Sequence, residues 1–192
     1  MRRAYIPMIL LSLLLSCHQQ ARNTDIPIPD ESVFNLTSSW HTEEGKEIKL
    51  KDLKGKVLVV VMIYTTCKVA CPRLVADMKG IHDKVPAALQ NKVQYVLVSI
   101  DPEHDTPAKL KSFAQSREMD SKEWTFLQGS TESVREFANV LAVKYKEISP
   151  MDFSHSNIIS VFDPQGNLLY QQEGLGIDNG GTVASITNAA RQ

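Results

Sequence analysis

The sequence predicts an α/β fold, a three-layer sandwich in which a central mixed sheet is flanked by helices. Three observations carry that prediction. Residues 57–64 (VLVVVMIY) and 93–100 (VQYVLVSI) are almost wholly apolar and rich in β-branched side chains, the composition of strands buried on both faces. Amphipathic helical segments alternate with these runs, so strand and helix succeed one another along the chain. Near the C-terminus, residues 157–172 (NIISVFDPQGNLLYQQ) read as a hairpin turning at Asp163-Pro164-Gln165-Gly166. A chain of 192 residues is long enough for one domain with its own core. A formal net charge of −1 gives no electrostatic case for a nucleic-acid partner.

The chain opens differently from the rest. Arg2 and Arg3 precede an almost wholly apolar run over residues 4–15. As a helix, that run would span ~18 Å, short of the ~30 Å of bilayer hydrocarbon but suited to the apolar region of a signal peptide. It ends in Leu14-Leu15-Ser16-Cys17, which resembles a bacterial lipobox whose cysteine is lipidated and becomes the mature N-terminus. Residues 1–16 are then expected to be a lipoprotein signal peptide. Residues 17–31, polar and carrying Pro27 and Pro29, form the lipidated N-terminus and a tether. Residues 32–192 are the folded domain. Several acyl chains on Cys17 would anchor it firmly, at ~0.8 kcal/mol per buried methylene.

Within the domain, residues 35–40 (NLTSSW) suggest a short strand, followed over 42–56 by a polar connection containing Gly45 and Gly55. The buried strand at 57–64 comes next. A helix over 71–85 follows from the spacing of Leu74, Val75, Met78, Ile81 and Val85, with Pro72 suited to its first turn. After the second buried strand, helices over 106–118 and 130–143 open on Thr106 and Ser130, both good N-caps. Between them WTFLQ at 124–128 is a third strand, and residues 182–192 form a closing helix.

With Cys17 assigned to the anchor, Cys67 and Cys71 remain as a pair, C-x-x-x-C. A cysteine pair just beyond a buried strand, at the start of a helix, is the thioredoxin-like arrangement. On a regular helix, positions i and i+4 have Cβ atoms ~5–6 Å apart, wide for the ~3.5–4.5 Å of a disulfide. The pair could still oxidise if the segment before Pro72 is a loop, and two sulfurs sharing a metal tolerate the wider separation. Cys71 at a helix N-terminus and Lys68 between the sulfurs are expected to favour thiolate, which serves redox chemistry and metal binding alike.

A metal needs further ligands, and there are five histidines. His18 lies in the tether, His41 among polar residues of a weak strand, and His82 inside a helix. His104 sits on a carboxylate-rich loop, where solvation accounts for it. His155 immediately precedes a buried strand, which can bring its imidazole to the sheet edge that carries the cysteines. Two thiolates and one imidazole form a soft set of three, short of the four a structural zinc takes. Copper fits it best, as Cu(I) or as Cu(II) with an added water or oxygen.

The segments YTTCKVACP, VSIDPEHDTP and FSHSNIISVFDPQGNLLY resemble, in order and spacing, the signatures of the Sco/SenC family. Its members are membrane-tethered, thioredoxin-like proteins that handle copper during cytochrome c oxidase assembly. The resemblance runs from about residue 33 to the C-terminus and implies a copper site made of Cys67, Cys71 and His155. It implies a chaperone in the bacterial cell envelope, facing the periplasm or the outer side of the cytoplasmic membrane; with no unexplained apolar stripe in the sequence, a monomer is the default expectation. Its partner would be oxidase subunit II or another copper-accepting protein, and it would transfer metal without being an enzyme. A thiol–disulfide oxidoreductase, using Cys67 and Cys71 as a redox pair, is the alternative. Two positions depart from the family pattern. Lys68-Val69-Ala70 stand between the cysteines, where an acidic residue and a proline are common. Ser154 stands before the histidine, where Asp is common and could orient the imidazole.

Overall fold

The computed structural model describes residues 28–68, 70–150 and 152–192. The expectations for residues 1–27, the signal peptide, Cys17, His18 and most of the tether, lie outside the described residues.

The buried apolar runs form the centre of the sheet. Strand β3 (Val57–Ile63) and β4 (Val93–Ser99) are buried at every position. They pair in parallel from Val57↔Val93 to Ile63↔Ser99. Preceding β3 are β1 (Ser39–Thr42) and β2 (Glu47–Lys49). Following β4 are β5 (Trp124–Gln128), β6 (Tyr145–Ser149), β7 (Asp152–His155), β8 (Ile158–Phe162) and β9 (Leu168–Glu173). Seven of these make one sheet in the order β2-β1-β5-β4-β3-β8-β9, parallel through β5, β4 and β3 and antiparallel elsewhere. The expected mixed sheet is therefore present. The β8–β9 turn is the expected one. Gly166 closes it at φ +85°, its N–H bonded to the Asp163 carbonyl at 2.9 Å. The Asp163 carboxylate accepts from the N–H groups of Gln165 and Asn167.

Among the described residues four α-helices complete the layers: α1 (Ala70–Lys84), α2 (Pro107–Ser116), α3 (Thr131–Val140) and α4 (Gly180–Arg191). Thr106 and Ser130 cap α2 and α3 as anticipated, each accepting a backbone N–H three residues on. His82 of α1 stacks on Trp124, and Phe113 of α2 meets Phe126. Trp124 and Phe126 alternate along β5, so α1 and α2 cover the same face. Phe137 of α3 instead meets Trp40. The β1–β5 register puts Trp40 on the face of Leu127, opposite to Phe126. The result is helix, sheet, helix.

Two elements depart from the sequence reading. The segment read as a polar connection contains β2, a three-residue strand with a single inward side chain, Ile48. The segment after α3 folds as an antiparallel ribbon, β6–β7, separate from the main sheet. Its residues are mostly exposed, so no apolar alternation marks it. This ribbon leads directly into β8 and carries His155 at its end.

Candidate functional site

The site forms at the carboxyl ends of the parallel strands β3 and β4, where loops in α/β sheets converge on ligands. After β3 the chain continues as Tyr64, Thr65, Thr66 and Cys67 before α1 begins at Ala70. Cys67 thus lies in a turn, its N–H bonded to the Tyr64 carbonyl at 3.3 Å, while Cys71 lies in the first turn of the helix. The two are not on one regular helix, and the i, i+4 separation considered from sequence does not apply. Cys67 is half-buried, Cys71 is 1% exposed, and no disulfide joins them.

A buried carboxylate fixes this loop. Asp105, 0% exposed, accepts from the N–H of Thr65 at 2.9 Å, from the Thr65 hydroxyl, and from the Ser99 hydroxyl at 2.8 Å. Lys109 Nζ lies 3.2 Å from its other side. Asp105 therefore ties the loop after β3 to the end of β4. The sequence reading left His104 to solvent on this carboxylate-rich loop, and it is exposed. It pairs with Asp101 at 2.7 Å, which raises its imidazole above the usual histidine range. Asp101 and Asp105 themselves are buried.

The two thiols differ in electrostatics, and one expectation is corrected. Burial pushes the Cys71 thiol well up, and the nearby Cys67 and Asp105 charges add to the rise. A helix N-terminus does not prevail over desolvation at this depth. Its effect falls instead on Cys67, whose sulfur accepts the Cys71 N–H at 3.3 Å. The anion-favouring end of α1 thus points at the more accessible sulfur.

His155 arrives from the other side. Its Nε2 lies 3.7 Å from Cys71 Sγ, across 84 residues of sequence. Its Nδ1 is 3.0 Å from the carbonyl oxygen of Ser156, the residue after it. A carbonyl can only accept, so Nδ1 carries the proton and Nε2 presents its lone pair toward the sulfur. Burial lowers the imidazole below the usual histidine range, which keeps it neutral. An ion ~2.3 Å from the sulfur and ~2.05 Å from Nε2 would subtend roughly 115° across that 3.7 Å gap. That angle lies between the trigonal and tetrahedral values, so the pair can share one soft metal ion. The Ser156 carbonyl does what an aspartate before the histidine could do. Asp152, three residues before the histidine, accepts instead from the Tyr64 hydroxyl at 2.8 Å.

The other histidines among the described residues are elsewhere. His82 packs against Tyr95 and Trp124, and His41 sits on β1 opposite Glu47 and Gln128. A cavity of about 680 Å³ opens beside Cys67, lined by Tyr64, Thr66, Lys68, Ala70, Pro150, Asp152 and Phe153. A second, of about 500 Å³, lies against Asp101, His104, Arg135 and the ribbon residues Tyr145 and Lys146, and no sulfur lines it.

Comparison with known proteins gives a consistent result. The SCO1/SenC family model matches residues 31–187. The SCO1 protein homolog of Bacillus subtilis is 30% identical over 140 residues, covering 71% of this chain and 72% of that protein. A SCO1/SenC family lipoprotein from Bacillus anthracis superposes with a TM-score of 0.70 at 27% identity, over 79% of this chain and 92% of its own. BsSco, described as a member of the Sco family of cytochrome c oxidase assembly proteins with a disulfide switch, gives 0.69 at 27%, over 80% and 91%. ScoI from Arabidopsis thaliana with copper bound gives 0.68 at 22%, over 81% and 96%, a likeness of fold.

Two outcomes follow from this geometry. In timed alkylation of the reduced protein at pH 7.5, with mass mapping of each cysteine, Cys67 should react at least ~10 times faster than Cys71. Equal rates would contradict the division between an accessible and a buried sulfur. In urea unfolding, Asp105→Ala should cost about 3 kcal/mol, because two hydroxyls and an N–H lose their acceptor in a buried place.

Proposed function

The chain belongs to the SCO1/SenC family, and from that premise we propose that it is a copper chaperone of the bacterial cell envelope. It holds one copper ion through Cys67, Cys71 and His155 and delivers it to the copper site of cytochrome c oxidase subunit II. The observation that carries this reading is the 3.7 Å approach of His155 Nε2 to Cys71 Sγ with Nδ1 already committed to a carbonyl. A disulfide reductase needs no imidazole there, whereas a soft ion shared by sulfur and nitrogen does. The copper-bound ScoI of Arabidopsis thaliana and the oxidase-assembly role attached to BsSco support the same reading.

Copper is the cargo, and the accessible cavity beside Cys67 is where an acceptor's thiolates would enter. Transfer proceeds by ligand exchange. His155, the weakest soft donor, detaches first, and an incoming thiolate takes its place. Cys67 yields next, and the buried Cys71 last. Copper need not leave the shelter of sulfur at any stage.

Cys17 is proposed as the lipidated residue, with 1–16 removed as signal peptide, 17–31 as tether and 32–192 as the copper-binding domain. The Bacillus anthracis relative is called a lipoprotein, which supports this anchor. Among the described residues no helix is long and apolar enough to cross a membrane.

A second reading is favoured by the placement of Cys67 in a turn, free of helical constraint on its approach to Cys71. The Cys67 thiolate would attack a partner's disulfide and form a mixed disulfide, releasing one partner thiolate. Cys71 would then attack Cys67 Sγ, expelling the second partner thiolate and leaving a Cys67–Cys71 disulfide, so the partner gains the two electrons lost here.

An anaerobic copper titration of the reduced protein separates the two. The chaperone reading expects one copper per chain held at sub-nanomolar free metal, with His155→Ala weakening it at least ~10-fold. Wild-type protein that holds no copper under these conditions while reducing disulfides would establish the second reading in place of the first.

A further inference from the structure

Strand β7 brings His155 to Cys71, yet it belongs to a ribbon outside the main sheet. Its ladder partner is β6, itself mostly exposed, and an isolated two-stranded ribbon is marginal on its own. Ladder pairing within the ribbon therefore gives the imidazole no fixed place relative to the cysteines. A core side chain reaches across to supply one.

Tyr64 follows β3 directly, three residues before Cys67, and is 3% exposed. Its hydroxyl donates to Asp152 Oδ1 at 2.8 Å, with the Phe153 carbonyl oxygen at 3.2 Å, and it accepts from the Phe153 N–H at 3.3 Å. Its ring meets Phe153 edge-on at 5.2 Å between centroids and the His155 imidazole at 5.9 Å. Three polar contacts from β7 thus converge on one oxygen, and that oxygen is attached to the cysteine loop. A phenylalanine would keep both ring contacts and lose these three polar ones together with the hydroxyl's contact to the Cys67 side chain, leaving the Phe153 N–H without its acceptor.

We infer that Tyr64 is a positioning residue for the metal site: its hydroxyl latches β7 to the cysteine loop and thereby holds His155 Nε2 against Cys71 Sγ. Asp152 contributes by gripping that hydroxyl and does not bond the imidazole itself. The role in copper binding rests on the proposed ligand set, whereas the latch rests on the protein's own hydrogen bonds. Outer contacts that orient a metal-binding histidine are typically worth 10–100-fold in affinity.

The test uses the full-length protein with Tyr64→Phe and Asp152→Asn, read in two ways. Without metal, amide hydrogen exchange at Phe153 and Ser154 should speed up at least ~10-fold in Tyr64→Phe, while β3 and β4 keep their protection. Unchanged exchange at Phe153 overturns the latch. With copper, Tyr64→Phe should bind roughly 10–100-fold more weakly and shift the sulfur-to-copper charge-transfer band. Asp152→Asn keeps an oxygen for the hydroxyl and should stay within about threefold of wild type, which a loss of negative charge alone would not allow. Equal affinity and an identical band in a Tyr64→Phe protein with a loosened β7 overturn the positioning role. If wild-type protein takes up no copper, the copper reading and the positioning role fall together, and the exchange measurement still decides the latch.

Discussion

The site depends first on a carboxylate that never meets solvent. Asp105 collects an N–H and two hydroxyls from the ends of β3 and β4 and faces Lys109. A buried anion is costly unless its oxygens are filled, and here every donor belongs to an element that must be correctly placed for the site to exist. The constraint acts in both directions. The loop satisfies the charge, and the charge permits one path for the loop from Ile63 to Cys67. With that path fixed, Cys71 enters α1 facing inward and Tyr64 points toward the ribbon.

From there the chemistry divides among three groups by environment. Cys67 is half-buried and receives a helix N-terminal N–H at its sulfur. Cys71 is sealed, and burial favours its neutral thiol. His155 is kept neutral by burial, with its proton on the nitrogen that faces a carbonyl. A soft cation changes this balance, because it compensates the buried thiolate charge that the apolar surroundings oppose. Cys67 is thus the sulfur open to the outside, Cys71 the sealed one, and His155 the neutral imidazole beside it.

Much of this was legible in the residues because burial leaves a compositional mark. Strands covered on both faces must be apolar, so β3 and β4 are plain in VLVVVMIY and VQYVLVSI. His155 was identifiable because it abuts another such strand. The ribbon was not, since Tyr145–Ser149 and Asp152–His155 pair with each other and keep most side chains exposed, which imposes no alternation. The single inward Ile48 of β2 is too short a signal for the same reason. Asp105 did not stand out within its run of carboxylates because sequence shows charge and not depth. The Ser156 carbonyl, which sets the imidazole tautomer, has no sequence signature at all, since every residue carries one. The thiolate character expected of Cys71 from its helix start fails because desolvation there outweighs the dipole, and the helix-start N–H is directed at the Cys67 sulfur.

The central claim is that two sulfurs and one imidazole share a single copper ion. X-ray absorption at the copper edge, on anaerobically loaded protein, addresses it directly. The account predicts two sulfur neighbours at ~2.3 Å and one imidazole nitrogen at ~2.0 Å, with the nitrogen shell lost in His155→Ala. A shell of nitrogen and oxygen neighbours without sulfur, or a spectrum that His155→Ala leaves unchanged, would contradict it.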